Sequence, residues 1–223
     1  MSAVRSARGA TITVLVGPAP DQARDAAAWS AHWATDPGGV IDQADAMRMA
    51  TAPTMPSAAH EALARLQHAM GAGRCILITR EVSGLLQKAA AADVLELDGS
   101  LWRLRCADDA DHPRVGVFGA QPRGKRCAVC GGALRPDVVL PGEPPDMMAE
   151  AREAVRRSRL VLAVEVSASD QPMQALLGEA RRAGVRTWAV HPAPDPQAAF
   201  DQVLEQAAEA GLPRLVGRWL AEV

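Results

Sequence analysis

Residues 94–106 read Val94-Leu95-Glu96-Leu97-Asp98-Gly99-Ser100-Leu101-Trp102-Arg103-Leu104-Arg105-Cys106. The apolar run at 94–97 predicts a short strand, and Asp98-Gly99-Ser100 breaks it with a turn. From Leu101 the chain alternates. Leu101, Trp102, Leu104 and Cys106 are apolar, whereas Arg103 and Arg105 are charged, which predicts a second strand ending on a cysteine.

Downstream, Cys127-Ala128-Val129-Cys130 followed by Gly131-Gly132 has the form of half a zinc ribbon, with glycines that permit the tight knuckle turn. The other cysteines are Cys75 and Cys106. With no export signal in the sequence, the four read as reduced thiols or metal ligands rather than disulfides. Cys75 opens the apolar run 75–79, a predicted strand, and is expected to be an inert core thiol.

Outward from this centre, apolar runs alternate with helical patterns, the signature of an α/β fold with a parallel sheet. Residues 11–16 form a buried-strand run stopped by Gly17-Pro18-Ala19-Pro20. A first strand ending in a glycine turn is how nucleotide-binding sheets begin; an ordinary β-turn closed by proline is the competing reading. Ser57 is expected to cap a helix with Ala59, Ala62, Leu63, Leu66, Ala69 and Met70 at helical spacing, ended by Gly71 and Gly73. In that helix, His60 reads as structural rather than catalytic. In the last third, Asp146 is expected to cap a helix running to residue 157, and 160–166 to form a strand. Pro172 and Gly184 delimit a helix at 173–183. A strand at 187–190 follows, then a helix over 197–210 stopped by Gly211, and a closing segment 212–223. Residues 21–55 are the least legible. They suggest a short helix at 25–33 with Trp29 and Trp33 on one face, and a loop at Asp36-Pro37-Gly38-Gly39.

The 223 residues suffice for one domain with a real core, and a formal net charge of −2 argues against nonspecific nucleic-acid binding. The run 12–16 is too short for a signal peptide or a membrane span. A cytoplasmic protein with no nucleic-acid or membrane partner is expected.

Taken together, the motifs resemble the sirtuin family, the NAD-dependent protein-lysine deacylases. The stretch 96–106 is similar to the family's Glu-Leu-His-Gly-Ser turn, which leads to an aromatic residue and a first zinc-binding cysteine. Pro56, His60, Ala62 and Leu63 are similar to its Pro-x-x-x-His-x-Ala-Leu helix. Thr79-Arg80-Glu81-Val82-Ser83-Gly84-Leu85 stands where the family has Thr-Gln-Asn-Val/Ile-Asp-Gly-Leu. Residues 135–143 resemble the strand that returns from the zinc module and pairs with the acyl-lysine peptide, with Pro141 in place of Phe.

The resemblance implies a Rossmann-type parallel sheet with helices on both faces, formed by residues 1–100 and 135–223, with a small zinc-ribbon module inserted at 101–134. It implies structural zinc on Cys106, Cys127, Cys130 and Asp109, the last at the family's second cysteine, with His112 as the alternative to Asp109. A lost zinc site with spare thiols is the competing reading. It implies NAD or an ADP-ribose-like ligand at Gly17, Ala19, Thr79, Glu81, Ser83, Ser167 and His191; His191 reads equally as a plain strand-end histidine. The catalytic histidine is Asp98 here. Glu81 and Ser83 replace the Asn and Asp that serve the nicotinamide end, and Glu165-Val166-Ser167 replaces Gly-Thr-Ser. These departures predict a protein without standard deacylase activity, acting through a protein partner or a different small ligand in the cleft. The alternative is an active deacylase or ADP-ribosyl transferase using Asp98 in the histidine's place.

Overall fold

A computed structural model describes residues 11–17, 33–195 and 199–221. Ala19 and nearly all of the helix expected at 25–33 lie outside them. In chain order the elements are β1 (Ile12–Val16), α1 (Pro37–Thr51), α2 (Ala58–Met70), β2 (Cys75–Thr79), α3 (Leu85–Lys88), β3 (Val94–Glu96) and β4 (Gly99–Cys106). There follow β5 (Val115–Gly116), β6 (Leu134–Val138), α4 (Met148–Arg157), β7 (Leu160–Val164), α5 (Gln171–Arg182), β8 (Arg186–Val190), β9 (Gln202–Leu204) and α6 (Ala208–Ala221).

Six strands make a parallel sheet in the order β3-β2-β1-β7-β8-β9. All five residues of β1 are buried, as expected of a strand covered on both faces. Helices α2 and α6 cover one face, where Leu63, Leu66, Leu212 and Val216 meet Val14, Leu77 and Leu162. Helices α4 and α5 cover the other, where Val155, Met173 and Leu177 meet Leu15, Ile78 and Val161. The order reverses between β1 and β7. Val16 pairs with Thr79 on one side and Val164 on the other, and Val164 with Val190, so the carboxyl ends form one row. Ligands of such sheets bind beyond that row, at the reversal.

The turn after β3 leads into a second, antiparallel sheet, β5-β4-β6. Gly99 has φ +79, and a Cβ there would lie 2.0 Å from the Asp137 carbonyl oxygen, so only glycine fits this passage between sheets. Cys106 pairs with Leu134 and Gly99 with Val138. Strand β6 therefore belongs with β4, and a division at residue 134 separates strands that pair. Glu96 at the end of β3 binds Arg103 (2.7 Å), and Arg103 also binds the fully buried Asp137 (2.8 Å), so ion pairs tie the two sheets together.

Three elements differ from expectation. Asp36-Pro37-Gly38-Gly39 is not a loop but the start of α1: the Asp36 side chain accepts the Gly39 N–H (2.8 Å) and Pro37 sits in the first turn. Helix α1 packs Val40 and Ala44 on Leu101 and Val138 of the small sheet and on Leu140 just beyond it. Its Arg48 is fully buried, paired with Asp45, and donates to the carbonyls of Leu101 (2.8 Å) and Gly119 (2.9 Å). Asp146 does not cap α4, whose N-cap is Met147 in a left-handed conformation (φ 54); Asp146 binds Arg105 (3.2 Å) and Arg114 (3.4 Å) instead. The helix expected at 197–210 is replaced by β9 and the start of α6, with Gly211 inside the helix. A Cβ on Gly211 would stand 2.9 Å from Val190 Cγ1, so this glycine serves close packing on β8 rather than termination. Among the described residues, no helix is long and apolar enough to cross a membrane.

Candidate functional site: a crevice at the strand ends and a metal cluster beside it

The crevice at the β1–β7 reversal is lined by Gly17, Ser57, His60, Glu81, Glu165 and Glu209, among others. Its polar groups are joined to one another. The Ser57 N–H donates to His60 Nδ1 (3.2 Å), and the Ser57 hydroxyl is 2.7 Å from the same atom. The proton therefore sits on Nε2, which donates to Glu81 Oε2 (3.2 Å). Ser57 and His60 thereby form a reciprocal capping box at the start of α2. Thr79 Oγ1 accepts the Glu81 N–H (2.9 Å), and Ser83 Oγ accepts the Leu85 N–H (3.4 Å) at the start of α3. The Ser83 carbonyl accepts the Trp102 indole N–H (2.6 Å).

Glu165 is among the three non-glycine residues with positive φ in the described chain (φ 49), a conformation that costs about 1–2 kcal/mol for an L-residue. Its Oε1 accepts the Ala208 N–H (2.7 Å) at the start of α6. Gly17 donates to the Val164 carbonyl (2.8 Å). Ser167 is exposed and hydrogen-bonded to Ser169 (2.9 Å). Half-buried His191 lines a neighbouring pocket with Gln174, Asp195 and Phe200, and its Nδ1 accepts the Ala193 N–H (3.0 Å).

Asp98 lies on the wall of an adjoining cavity of about 290 Å³, lined also by Arg80, Val139, Leu140, Pro141 and Glu143. Arg80 grips Asp98 Oδ2 through Nε (2.9 Å) and Nη2 (2.8 Å), and reaches Asp170 Oδ1 through Nη1 (3.2 Å). Asp98 Oδ1 and Asp170 Oδ2 are buried without hydrogen-bond partners. Burial pushes the Asp98 carboxyl above the usual carboxylate range, and Arg80 pulls it back only in part. Asp170 had no part in the sequence reading, although Asp170-Gln171-Pro172 is a legible helix start and its side chain caps α5 (3.2 Å). Glu143 is held by Arg135 (2.8 and 2.9 Å) and accepts the Leu140 N–H (2.9 Å), which folds residues 140–143 into a turn.

In the small module, one ligand atom each from Cys106, His112, Cys127 and Cys130 lies within 4.8 Å of the others. Asp109, expected as fourth ligand, is not in this group. It stands behind His112, with Oδ2 at 3.4 Å from Nε2, while His112 Nδ1 faces Cys127 Sγ (3.5 Å). That is the arrangement of a carboxylate orienting a histidine ligand. The Cys106 thiol is drawn down to about 6, first by its hydrogen bond with His112, and backbone N–H groups of Cys130 and Val129 lower Cys127, whereas Cys130, against its backbone hydrogen bond with Gly132, is raised by the neighbouring thiols. Thiolates are the ligand form. Three thiolates and one imidazole fit zinc, which these residues would hold in a closed tetrahedral set with a structural role.

Residues 28–172 match the Sir2 family. A curated NAD-dependent protein deacylase of Caulobacter vibrioides is 32% identical over 195 residues, covering 86% of this chain and 82% of that protein. One from Ralstonia nicotianae is 32% identical over 201 residues, covering 88% and 78%. Among solved structures, a Sir2 homologue in complex with NAD superposes with a TM-score of 0.77 at 24% identity, covering 95% of this chain and 90% of that one. With the sheet order, the position of the inserted metal module and these likenesses in agreement, the chain belongs to the Sir2 family, the sirtuins.

Proposed function

We propose that this sirtuin does not carry out standard NAD-dependent deacylation and acts by binding, either of a protein partner or of a different small ligand in the crevice. The observation that carries the reading is Asp98, a buried carboxylate gripped by Arg80 where the resemblance places the catalytic histidine. Deacylation of the family's kind needs a neutral imidazole to relay a proton. A carboxylate locked in an ion pair is a poor relay. Supporting it, Thr79, Glu81 and Ser83 are all engaged within the protein.

NAD is what the relatives' names and the solved complex bring to this crevice as a candidate ligand. One observation favours a second reading, an active deacylase or ADP-ribosyl transferase with Asp98 as base: burial lifts its carboxyl above the ordinary carboxylate range, the direction a general base needs. Nicotinamide release from NAD, measured with acyl-lysine peptides, decides between them. The expected result is none above background; turnover would establish the second reading. Asp98→His alone is expected to leave the protein inactive, because Glu81 and Ser83 would still hold their present contacts. Rescue by that single change would show that the crevice still seats the cofactor.

A further inference from the structure

The crevice at the β1–β7 reversal already contains an anion. Glu165 directly follows β7 in a left-handed conformation, and its Oε1 takes the Ala208 N–H at the first turn of α6 (2.7 Å). A helix start is where unpaired N–H groups and the helix dipole favour negative charge. The backbone of the same residue is pressed against the end of β1: a Cβ on Gly17 would lie 2.3 Å from the Glu165 carbonyl oxygen. One residue thus forms the floor of the crevice and sets a carboxylate on the start of α6, beside the Glu81 and Glu209 that also line it. Two further donors there are engaged as well, Gly17 N–H by Val164 and the Ser57 N–H by His60.

We infer that Glu165 is a specificity-determining residue whose carboxylate occupies the start of α6 and excludes phosphate-bearing ligands from the crevice, leaving it selective for neutral or cationic groups. A backbone conformation that favours glycine, held by a residue with a long acidic side chain, is what such a role would require. The inference rests on the reading above in one respect, that both make the crevice a poor host for NAD.

The test is calorimetry on the full chain with ADP-ribose and with inorganic pyrophosphate, comparing wild type, Glu165→Gly and Glu165→Gln. Glycine accepts the left-handed backbone and removes both charge and bulk; glutamine removes only the charge. Glu165→Gly is expected to bind ADP-ribose about tenfold more tightly or better, the scale set by one like charge near an anion. Glu165→Gln should gain a smaller factor. Equal affinities in all three proteins overturn the inference. If circular dichroism shows that Glu165→Gly does not fold, Glu165→Gln decides alone: a gain supports the inference and no gain overturns it. Unchanged affinities without turnover would defeat this inference and leave the reading above standing. Nicotinamide release by wild type would defeat both, because NAD carries the pyrophosphate that this inference keeps out of the crevice.

Discussion

At Asp98, burial and pairing pull in opposite directions, and burial wins. The folded carboxyl therefore takes up its proton at a higher pH than the unfolded one. Between the ordinary value of 3.8 and the raised one, the native chain binds more protons than the unfolded chain, so stability falls as pH rises through that window and stays lower above it. Asp98→Asn removes this titration. In urea unfolding at a series of pH values, the stability of wild type relative to Asp98→Asn should decline as pH is raised from acid toward neutral. A difference that stays flat or grows would mean that Arg80 governs the carboxyl instead. The substitutions at Asp98, Glu81 and Ser83 were legible one by one because they fall on motif positions. Their partners were not: Arg80 and Asp170 are 90 positions apart, and no local pattern announces that they meet.

Elements were legible in proportion to how cleanly their buried faces are apolar. Helix α2 buries an alanine and leucine stripe and was read within a residue. Helix α1 was missed because its buried face is Val40, Ile41, Ala44 and Arg48, and an arginine in the stripe breaks the periodicity that sequence reading depends on. The closing helix was misread for a different reason: Gly211 resembles a stop signal but lies inside α6, where it lets the helix approach β8. Replacing a helix-interior glycine by alanine ordinarily gains about 1 kcal/mol. Here the new methyl would stand 2.9 Å from the buried Val190 side chain, so Gly211→Ala should lose roughly 1–2 kcal/mol in chemical unfolding. A stabilised variant would show that Val190 gives way freely and that the packing argument is mistaken.

For the whole molecule, a parallel α/β sheet was implied by the succession of apolar runs but its strand order was not, since β9 lies where a helix was expected; the choice between Asp109 and His112 depended on a turn that spacing does not specify. That choice has a measurable outcome. Purified protein should contain one zinc per chain. His112→Ala should lose it, while Asp109→Ala should keep it with affinity weakened on the order of 10- to 100-fold. Equal loss in both variants would make Asp109 a ligand. Chelation should lower the thermal midpoint, because Cys106 and Cys127 also form part of the module's small core. The central place of β1 has a consequence in time. Its five buried residues find β2 first, but the other edge waits for β7, about 80 residues later in the chain. At 5–20 residues per second, a nascent chain would carry that open apolar edge for roughly 4–16 s on the ribosome, the interval in which a holding chaperone would matter most.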